Sequence, residues 1–306
     1  MSKVSVIVST FAKERSELLL RCIRSLGAQE DPPDEIILVL DHDKELIGYF
    51  KSRIPTDIKI AISEKTGLSS ARNAGLKIAT GEIVAFIDDD AMAEKDWISK
   101  LVKGYDDPYV QSVGGAAIPL WENQKPAWFP DELDWIIGCS HKGRPQSKSL
   151  VRNLIGCNMS FRRNVFEKVG YFEAALGRVG RKLAVSEETE FCLRILAEIP
   201  DSKIVYDPLA KIYHVVPKER AKITYVMKRS YYEGVAIAML SKKLGQVRAQ
   251  SDEREYLDRL VRFSIPSRLI KIRLTNIAQL TALLLSIISV GIGFLRGRLS
   301  FEWEER

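Results

Sequence analysis

Cysteine is scarce in this sequence, and a glycine-rich phosphate loop is missing. The four cysteines, Cys22, Cys139, Cys157 and Cys192, lie far apart, whereas zinc sites and disulfide frameworks usually show closely spaced pairs. We therefore expect buried thiols that act as small apolar residues in a reduced, cytoplasmic compartment. No segment follows the pattern G-x-x-x-x-G-K-[ST], so the phosphate cradle of the ATPases is excluded.

The turn after the first apolar run reads STFAKERSELL and contains no glycine. A dinucleotide-binding sheet needs G-x-G-x-x-G at this place, and a nucleotidyltransferase typically needs a glycine-rich basic loop there. Both classes are therefore disfavoured. The formal net charge of the 306 residues is only +6, and we predict no nucleic-acid partner. We also expect no signal peptide, because the chain enters an apolar strand pattern at Val4.

Strand-like and helix-like segments alternate over the first hundred residues. Apolar runs predict strands at Val4–Thr10, Glu35–Leu40, Asp57–Ile62 and Glu82–Ile87. A helical pattern occupies Glu14–Ala28, and the segment SARNAGLKIAT is helical as well. This alternation predicts an α/β fold whose mostly parallel, Rossmann-like sheet is covered by helices on both faces.

Beyond Val110 the pattern is less regular. We predict a strand in VGGAAIPLW, a long loop over Trp121–Lys148 that serves as a lid or acceptor wall, and a helix over Ser186–Glu198. KIVYDP and KIYHVV predict two short strands, and Ile223–Leu244 predicts an amphipathic helix rich in aromatic residues. This last helix either packs on the core or lies at a membrane interface.

The segment Leu274–Leu295 contains no charged residue over 22 positions. As a helix it would be roughly 30 Å long, which matches the hydrocarbon core of a bilayer. Basic residues flank it on both sides, and they are Arg268, Lys271, Arg273, Arg296 and Arg298. The pattern predicts membrane insertion, with a buried core helix as the alternative. Whether such a helix crosses the membrane or lies in one leaflet stays open.

The ends of three predicted strands carry polar side chains: Ser9-Thr10, Asp41-His42-Asp43 and Asp88-Asp89-Asp90. Ligands of parallel α/β sheets bind beyond the carboxyl ends of the strands, so we expect these residues to form a site. Carboxylate oxygens select Mg²⁺ or Mn²⁺, and Asp88 and Asp90 would project to one side of a strand. The alternative is that Asp90 caps a following helix.

The segment EKTGLSSARNAGL begins a predicted helix after the third strand. Backbone N–H groups at its start could meet an anion, with Arg72 as a charged donor. Serine capping of the helix is the simpler reading of the serines, but it does not account for Arg72.

The ordered set of motifs resembles the family 2 glycosyltransferases, which have the GT-A fold. The matching segments are VSVIVSTFAKER, EIILVLDHD, GLSSARNAGLKIATGEIVAFIDDD, GCNMSFRRNVFEKVGYF and SEETEFCLRI, and they span roughly Val4 to Val216. The resemblance implies a nucleotide-sugar donor, a Mn²⁺ or Mg²⁺ cofactor and inversion by a single displacement.

The resemblance also assigns roles to individual residues. Thr10 and Asp41 fall where the family holds the nucleobase, usually uracil, and Arg72 where it contacts the nucleotide. Asp88 and Asp90 match the D-x-D pair, with Asp90 as the direct metal ligand.

Three further residues match the family towards the carboxyl end of the resemblance. Glu187 and Glu188 fall on the E-D motif, whose second member is the general base. The base here is glutamate rather than aspartate, which places the carboxylate one methylene further out. His214 matches a histidine that can complete the metal shell, although a lone histidine is more often structural.

The acidic pair discriminates among acceptors. A polyprenyl-phosphate sugar synthase needs no base, because its acceptor is already ionised, so Glu188 favours a hydroxyl of a lipid-linked saccharide. The family's polymer synthases carry Q-x-x-R-W, which is missing here. A family 2 domain followed by a carboxyl-terminal apolar helix resembles the archaeal-type transferases that extend dolichyl-phosphate-linked sugars. Some of these transferases use UDP-glucuronate. Arg178, Arg181 and Lys182 would suit binding of a carboxylated sugar or of the diphosphate. The alternative is that they only keep a surface loop soluble.

We therefore expect a catalytic domain over residues 1–220, a basic helical region over 221–273 and a membrane helix with a short tail over 274–306, located at the cytoplasmic face of the membrane. A nucleotide-sugar-binding membrane protein without catalysis is the non-enzymatic alternative, and a polyprenyl-phosphate sugar synthase is the enzymatic one. The sequence does not determine the sugar, the linkage or the oligomeric state.

Overall fold

The computed structural model of the protein describes residues 2–174, 186–245, 251–270 and 273–300. The strands are β1 (Val4–Thr10), β2 (Glu35–Leu40), β3 (Lys59–Ile62), β4 (Ile83–Asp88), β5 (Ala91–Ala93), β6 (Val110–Trp121), β7 (Ser149–Leu150), β8 (Asn158–Arg162) and β9 (Lys203–Val216). The helices are α1 (Ser16–Gly27), α2 (Lys44–Lys51), α3 (Leu68–Ile78), α4 (Trp97–Val102), α5 (Val165–Val169), α6 (Glu187–Glu198), α7 (Ile223–Leu244), α8 (Ser251–Arg259), α9 (Ile265–Ile270) and α10 (Leu274–Ser300). Short 3₁₀ helices lie at Lys13–Arg15, Lys103–Tyr105, Asp131–Ile137 and Lys218–Ala221, and a π-helix lies at Leu260–Ser264.

The β-branched runs near the amino terminus form the parallel part of the sheet, in the order β3-β2-β1-β4. Alternate residues of these strands point to opposite faces, as the twofold period of a strand requires. Val6 and Val8 pack with Leu19 of α1 on one face, and Ile7 packs with Leu76 of α3 on the other. Because both faces are buried, the strands are apolar almost throughout.

The remaining strands are mixed in direction. β8 is antiparallel to both β4 and β6, β6 and β9 are parallel, and β5 and β7 each run antiparallel to β9. The described residues thus form one mixed α/β sheet with flanking helices, and the predicted fold class is confirmed.

β9 corrects the prediction of two short strands, because KIVYDP and KIYHVV belong to one strand. Its pairing with β6 shifts register between Gly115 and Ala117, so Pro208 falls in a bulge, where the missing N–H breaks no ladder bond. The bulge approaches β6 closely: a Cβ on Gly115 would lie 1.7 Å from the carbonyl oxygen of Ala210.

The predicted loop over Trp121–Lys148 contains the 3₁₀ helix Asp131–Ile137 and is packed rather than open. Leu133, Ile136 and Ile137 are buried against Val226 of α7 and Leu283 of α10. The segment is therefore a wall between the sheet and the carboxyl-terminal helices.

Helices α7 and α10 run parallel and pack through small residues. The hydroxyls of Ser230 and Ser286 hydrogen-bond at 2.8 Å, and Lys242 donates to the carbonyl oxygen of Arg298 at 3.0 Å. A Cβ on Gly234 would lie 2.0 Å from the carbonyl oxygen of Val290, so the helices approach each other as closely as glycine permits. α7 therefore packs on α10, and its Val226 packs with the buried residues of the 3₁₀ helix Asp131–Ile137.

Replacing Gly293 by alanine should destabilise this helix pair, because the new Cβ would lie 1.9 Å from the carbonyl oxygen of Tyr231. Overpacking of this kind costs about 1–3 kcal/mol. Gly291→Ala is the matched control, since a Cβ there meets nothing within 4 Å and helix propensity gains about 0.5–1 kcal/mol. Thermal unfolding of the purified variants measures both effects, and equal midpoints would contradict the observed packing.

Candidate active site

The register of the sheet brings the predicted polar strand ends together. Thr10 is paired with Leu40, the residue before Asp41, and Ser9 is paired with Asp88. Thr10 is buried and Asp41 is half-buried, and burial raises the pKa of Asp41. Asp43 takes no part, because its carboxylate caps α2 by accepting from the backbone N–H groups of Glu45 and Leu46.

The three consecutive aspartates occupy a turn between two strands. Asp88 ends β4, Asp89 and Asp90 form the turn, and β5 begins at Ala91. The alternative that Asp90 caps a helix is therefore wrong, because a strand follows it. A turn, rather than the alternation of one strand, brings Asp88 and Asp90 together.

Arg15 neutralises the acidic turn, and the sequence reasoning missed it. Its guanidinium donates to both carboxylate oxygens of Asp89, with Nε at 2.9 and 2.8 Å, and its Nη2 lies 2.7 Å from Oδ2 of Asp90. Arg15 follows β1 in a 3₁₀ turn, so a basic residue beyond the carboxyl end of a neighbouring strand was the available signal. One arginine thus supports two of the three aspartates.

Strand pairing places His214 beside Asp90. Ala91 of β5 is paired with His214 of β9, and Nε2 of His214 lies 3.3 Å from Oδ1 of Asp90. On its other side, Nδ1 of His214 lies 3.7 Å from Sγ of Cys139. One ligand atom each from Asp88, Asp90 and His214 lie within 4.8 Å of one another.

These residues fit a divalent cation. Oδ1 of Asp90 is buried and makes no hydrogen bond within the described residues, which leaves a lone pair for a ligand. Two carboxylates and an imidazole are a common donor set for divalent metals. Burial opposes the charged form of His214, but the Asp90 carboxylate outweighs it and raises the pKa of His214 to about 10. A cation that binds to the imidazole would therefore have to displace its proton. Although burial acts against it, the charge of His214 holds the pKa of Asp90 below its usual range.

Arg72 connects the acidic turn with α6. Its side chain is buried and its Nη1 lies 2.7 Å from Oε1 of Glu187. Nη2 donates to the carbonyl oxygen of Gly156 at 2.9 Å and lies 3.6 Å from Oδ1 of Asp88. Arg72 is therefore a buried brace between β4 and α6. It also lines the cavity described below, and its contact with a nucleotide stays a prediction.

The acidic pair opens α6. Glu187 is buried against Arg72, whereas Glu188 is half-buried and faces a cavity. Burial, followed by the charge of Glu187, raises the pKa of Glu188 to about 8. Gly156 leaves room for the side chains of Arg72 and Glu188. A Cβ at Gly156 would lie 3.2 Å from Nη2 of Arg72 and 3.7 Å from Cδ of Glu188.

A cavity of about 580 Å³ joins the acidic groups to the carboxyl-terminal helices. One wall is polar and contains Asp88, Glu187, Glu188 and His214. Apolar residues of the carboxyl-terminal helices also line it: Ile237, Leu240, Leu257, Ile287, Val290 and Phe294. Such a combination suits a substrate with a polar reacting end and an apolar remainder.

Arginines in this cavity were also missed by sequence reasoning. Arg144 and Arg220 line it, and Arg220 donates to the carbonyl oxygen of Ile137 at 2.7 Å. Neither has a carboxylate within ion-pair distance among the described residues, so both can meet an anion. The predicted contacts Arg178 and Arg181, with Lys182, lie outside the described residues.

The α/β sheet carries an acidic turn, a histidine and a cavity-facing carboxylate at its carboxyl edge. These features together are typical of a metal-dependent transferase. Comparison with known proteins identifies the family. The family model of glycosyl transferase family 2 matches residues 5–170, and the protein belongs to that family.

Relatives and solved structures agree with this assignment. The chain is 32% identical to the glucosyl-dolichyl phosphate glucuronosyltransferase of Haloferax volcanii, with 97% of each protein covered. It is 27% identical to the succinoglycan biosynthesis protein ExoM of Rhizobium meliloti, over 71% of this chain and 69% of that protein. The structure of the mannosyltransferase PcManGT from Pyrobaculum calidifontis, in complex with GDP-Man and Mn²⁺, has a TM-score of 0.59 at 17% identity and covers 100% of this chain and 88% of that chain. The GT-A type fold and the enzyme class predicted from the sequence are confirmed.

Replacing Arg72 by methionine should destabilise the protein by about 3–5 kcal/mol, because Glu187 would keep a buried, unpaired charge. Lys77→Met on the same helix removes an exposed ion pair with Glu64 and should change stability little. Urea unfolding of both variants measures the difference. A small effect of Arg72→Met would show that the buried pair does not brace the site.

Proposed function

We propose that the protein is an inverting, metal-dependent glycosyltransferase that uses a UDP-linked sugar. The acceptor is a hydroxyl of a saccharide carried on dolichyl or polyprenyl phosphate. The observation that carries this proposal is one cavity lined by Asp88, His214 and Glu188, which joins a candidate metal site to a candidate base. UDP-glucuronate is the donor we favour, because the Haloferax relative is named a glucuronosyltransferase and the match covers 97% of this chain.

The donor would bind across the carboxyl edge of the sheet. Thr10 and Asp41 end adjacent strands and would hold the nucleobase, while Asp88 lies between them and the cavity. Arg220 lines the cavity near Gly138 and His214, so its charge can meet the diphosphate. Arg144 would meet a second anion, either the carboxylate of the sugar or a phosphate of the acceptor.

Asp88, Asp90 and His214 would hold the cation, with Asp90 as the direct ligand. A bound Mn²⁺ or Mg²⁺ would neutralise the negative charge that develops on the departing nucleoside diphosphate. Arg15 keeps the acidic turn in place without lining the cavity. The protein therefore meets the bound donor with ligands that are already positioned.

Glu188 would act as the general base. Its carboxylate faces the cavity and makes no hydrogen bond or ion pair with another side chain of the described residues, so it is available to accept a proton. The acceptor hydroxyl loses its proton to Glu188 and attacks the anomeric carbon opposite the leaving diphosphate, which inverts the configuration. Glu187, paired with Arg72, would orient the start of α6.

We further propose the division of the chain into a catalytic domain over 1–220, a helical region over 221–273 and a membrane-associated segment over 274–306. The cytoplasmic face is the location we propose, because nucleotide sugars are made in the cytoplasm and the thiols are free and buried. Helix α10 has the length and composition of a membrane segment.

Asp90→Ala should abolish metal-dependent release of UDP, because the metal loses its buried ligand. The assay supplies a panel of nucleotide sugars and a lipid-linked saccharide fraction, with Mn²⁺ or with EDTA. Asp57→Ala is the control, since Asp57 is an exposed acidic residue outside the site. Metal-dependent UDP binding without turnover of any donor in the wild type would favour the non-catalytic alternative.

The pH dependence of kcat/KM should report Glu188, because a base works only when it is deprotonated. With the pKa of Glu188 raised to about 8, kcat/KM should rise tenfold per pH unit below that pH and level off above it. Glu188→Gln should lower kcat by about 10²–10⁴-fold while leaving UDP binding unchanged.

Glu188→Asp restores the family's E-D motif and should recover part of the lost activity. The two variants together separate a base from a structural carboxylate. Full activity of Glu188→Gln would instead indicate an acceptor that is already ionised, as in a polyprenyl-phosphate sugar synthase.

A further inference from the structure

The outward face of α10 is apolar, which inverts the pattern of a helix on a soluble protein. The buried face of α10 includes the small or polar residues Ala282, Ser286, Ser289, Gly293 and Gly297, beside the apolar residue Leu283. The exposed face carries the large apolar side chains Ile277, Leu284, Ile288, Ile292, Leu295 and Leu299. Only 28% of the most apolar stretch of α10 is buried, so this is not a core helix.

The segments before α10 also expose large apolar side chains. Leu257 of α8, Val261 and Phe263 of the π-helix, and Leu269 and Ile270 of α9 are all exposed. Single exposed apolar residues need no explanation, but so many large ones on consecutive segments of the chain indicate an interaction site.

Helix α10 is attached to the catalytic domain along its length. Near its start, Gln279 donates to the carbonyl oxygen of Ala127 at 2.9 Å. Its middle packs on α7 through Ser286, and near its end the carbonyl of Arg298 accepts from Lys242.

Helix α7 is itself attached to the domain near both ends. The guanidinium of Arg229 lies over the ring of Trp135 at 5.8 Å, and Lys243 donates to Glu190 of α6 at 2.9 Å. Both helices therefore lie flat against the domain.

This attachment is incompatible with a helix that crosses a bilayer. Helix α10 is 27 residues long, about 40 Å, and α7 runs beside it. If α10 crossed the hydrocarbon core, α7 and the part of the domain bound to it would also enter the membrane. The charged residues of α7 would then lie in lipid, and they are Lys228, Arg229, Glu233, Lys242 and Lys243. Burying such charges in lipid is costly.

We propose that α10 does not cross the membrane but lies in the plane of one leaflet, with its exposed apolar face in the hydrocarbon. The partner is a lipid surface with anionic headgroups, because exposed arginines border the apolar face at both ends: Arg273, Arg296 and Arg298. The bilayer then covers the surface that the protein leaves open.

The inner side of α10 connects this surface to the site. Ile287, Val290 and Phe294 line the catalytic cavity, so one helix separates the leaflet from the polar groups around Glu188. If the proposed function is correct, a lipid-linked acceptor enters the cavity from the leaflet beside α10. The test below measures only position, so its outcome does not depend on activity.

Single cysteines at Thr275 and Arg296 test the orientation of the full chain. Both residues are exposed, and they are separated by about 30 Å along the helix. The wild type is the blank, because Cys22, Cys139, Cys157 and Cys192 are buried. In sealed inside-out vesicles, a membrane-impermeant maleimide should label Thr275→Cys and Arg296→Cys to the same extent. Labelling of only one of them until detergent is added would mean that α10 crosses the membrane, and would overturn the proposal.

Flotation with phosphatidylcholine vesicles, with and without phosphatidylglycerol, tests the lipid partner. Ile288→Asp should lower the vesicle partition coefficient about tenfold or more, since a charged side chain would replace an apolar one in the hydrocarbon. Leu209→Asp on β9 is the matched control, because Leu209 is 54% exposed and Ile288 is 56% exposed. An equal loss of vesicle binding in both variants would overturn the proposal. A wild-type protein that does not bind vesicles and is a dimer in solution would also overturn it. The latter result would assign the apolar face to a second copy of the chain.

Discussion

The buried ion pair between Arg72 and Glu187 is the contact on which the site depends. Arg72 lies on α3 and reaches Glu187 at the start of α6, the carbonyl of Gly156 and, at a longer distance, Asp88. A buried pair of this kind adds little net stability by itself, but losing one partner leaves an uncompensated charge. The pair therefore fixes the position of Glu188 relative to the acidic turn, which the chemistry requires.

The site brings several carboxylates close together, and their surroundings differ. Asp89 is bound by Arg15, Asp90 is shared between Arg15 and His214, and Glu187 is held by Arg72. Glu188 alone among these faces the cavity without a partner in the described part of the chain. This difference in surroundings separates the roles of carboxylates that look alike in sequence, because burial and neighbouring charges decide which of them holds a proton at neutral pH.

The carboxyl-terminal helices give the cavity its second wall. Small residues let α7 and α10 approach closely, and the large apolar residues of α10 are turned outward or into the cavity. A single helix can thus contact lipid on one side and substrate on the other. If the proposed function is correct, this arrangement would bring a lipid-linked acceptor to the polar groups of the site.

The sequence by itself determined the parallel part of the sheet, the acidic strand ends, the acidic pair on α6 and the length of α10, because these depend on local periodicity and on the alternation of apolar and polar residues. It did not predict that Pro208 lies within one continuous strand, since a bulge depends on the partner strand. The tertiary structure alone decided that Arg15 binds Asp89, that β5 brings His214 to Asp90 and that α10 lies flat against α7. These contacts join residues that are distant along the chain, and only packing can select which charge meets which partner.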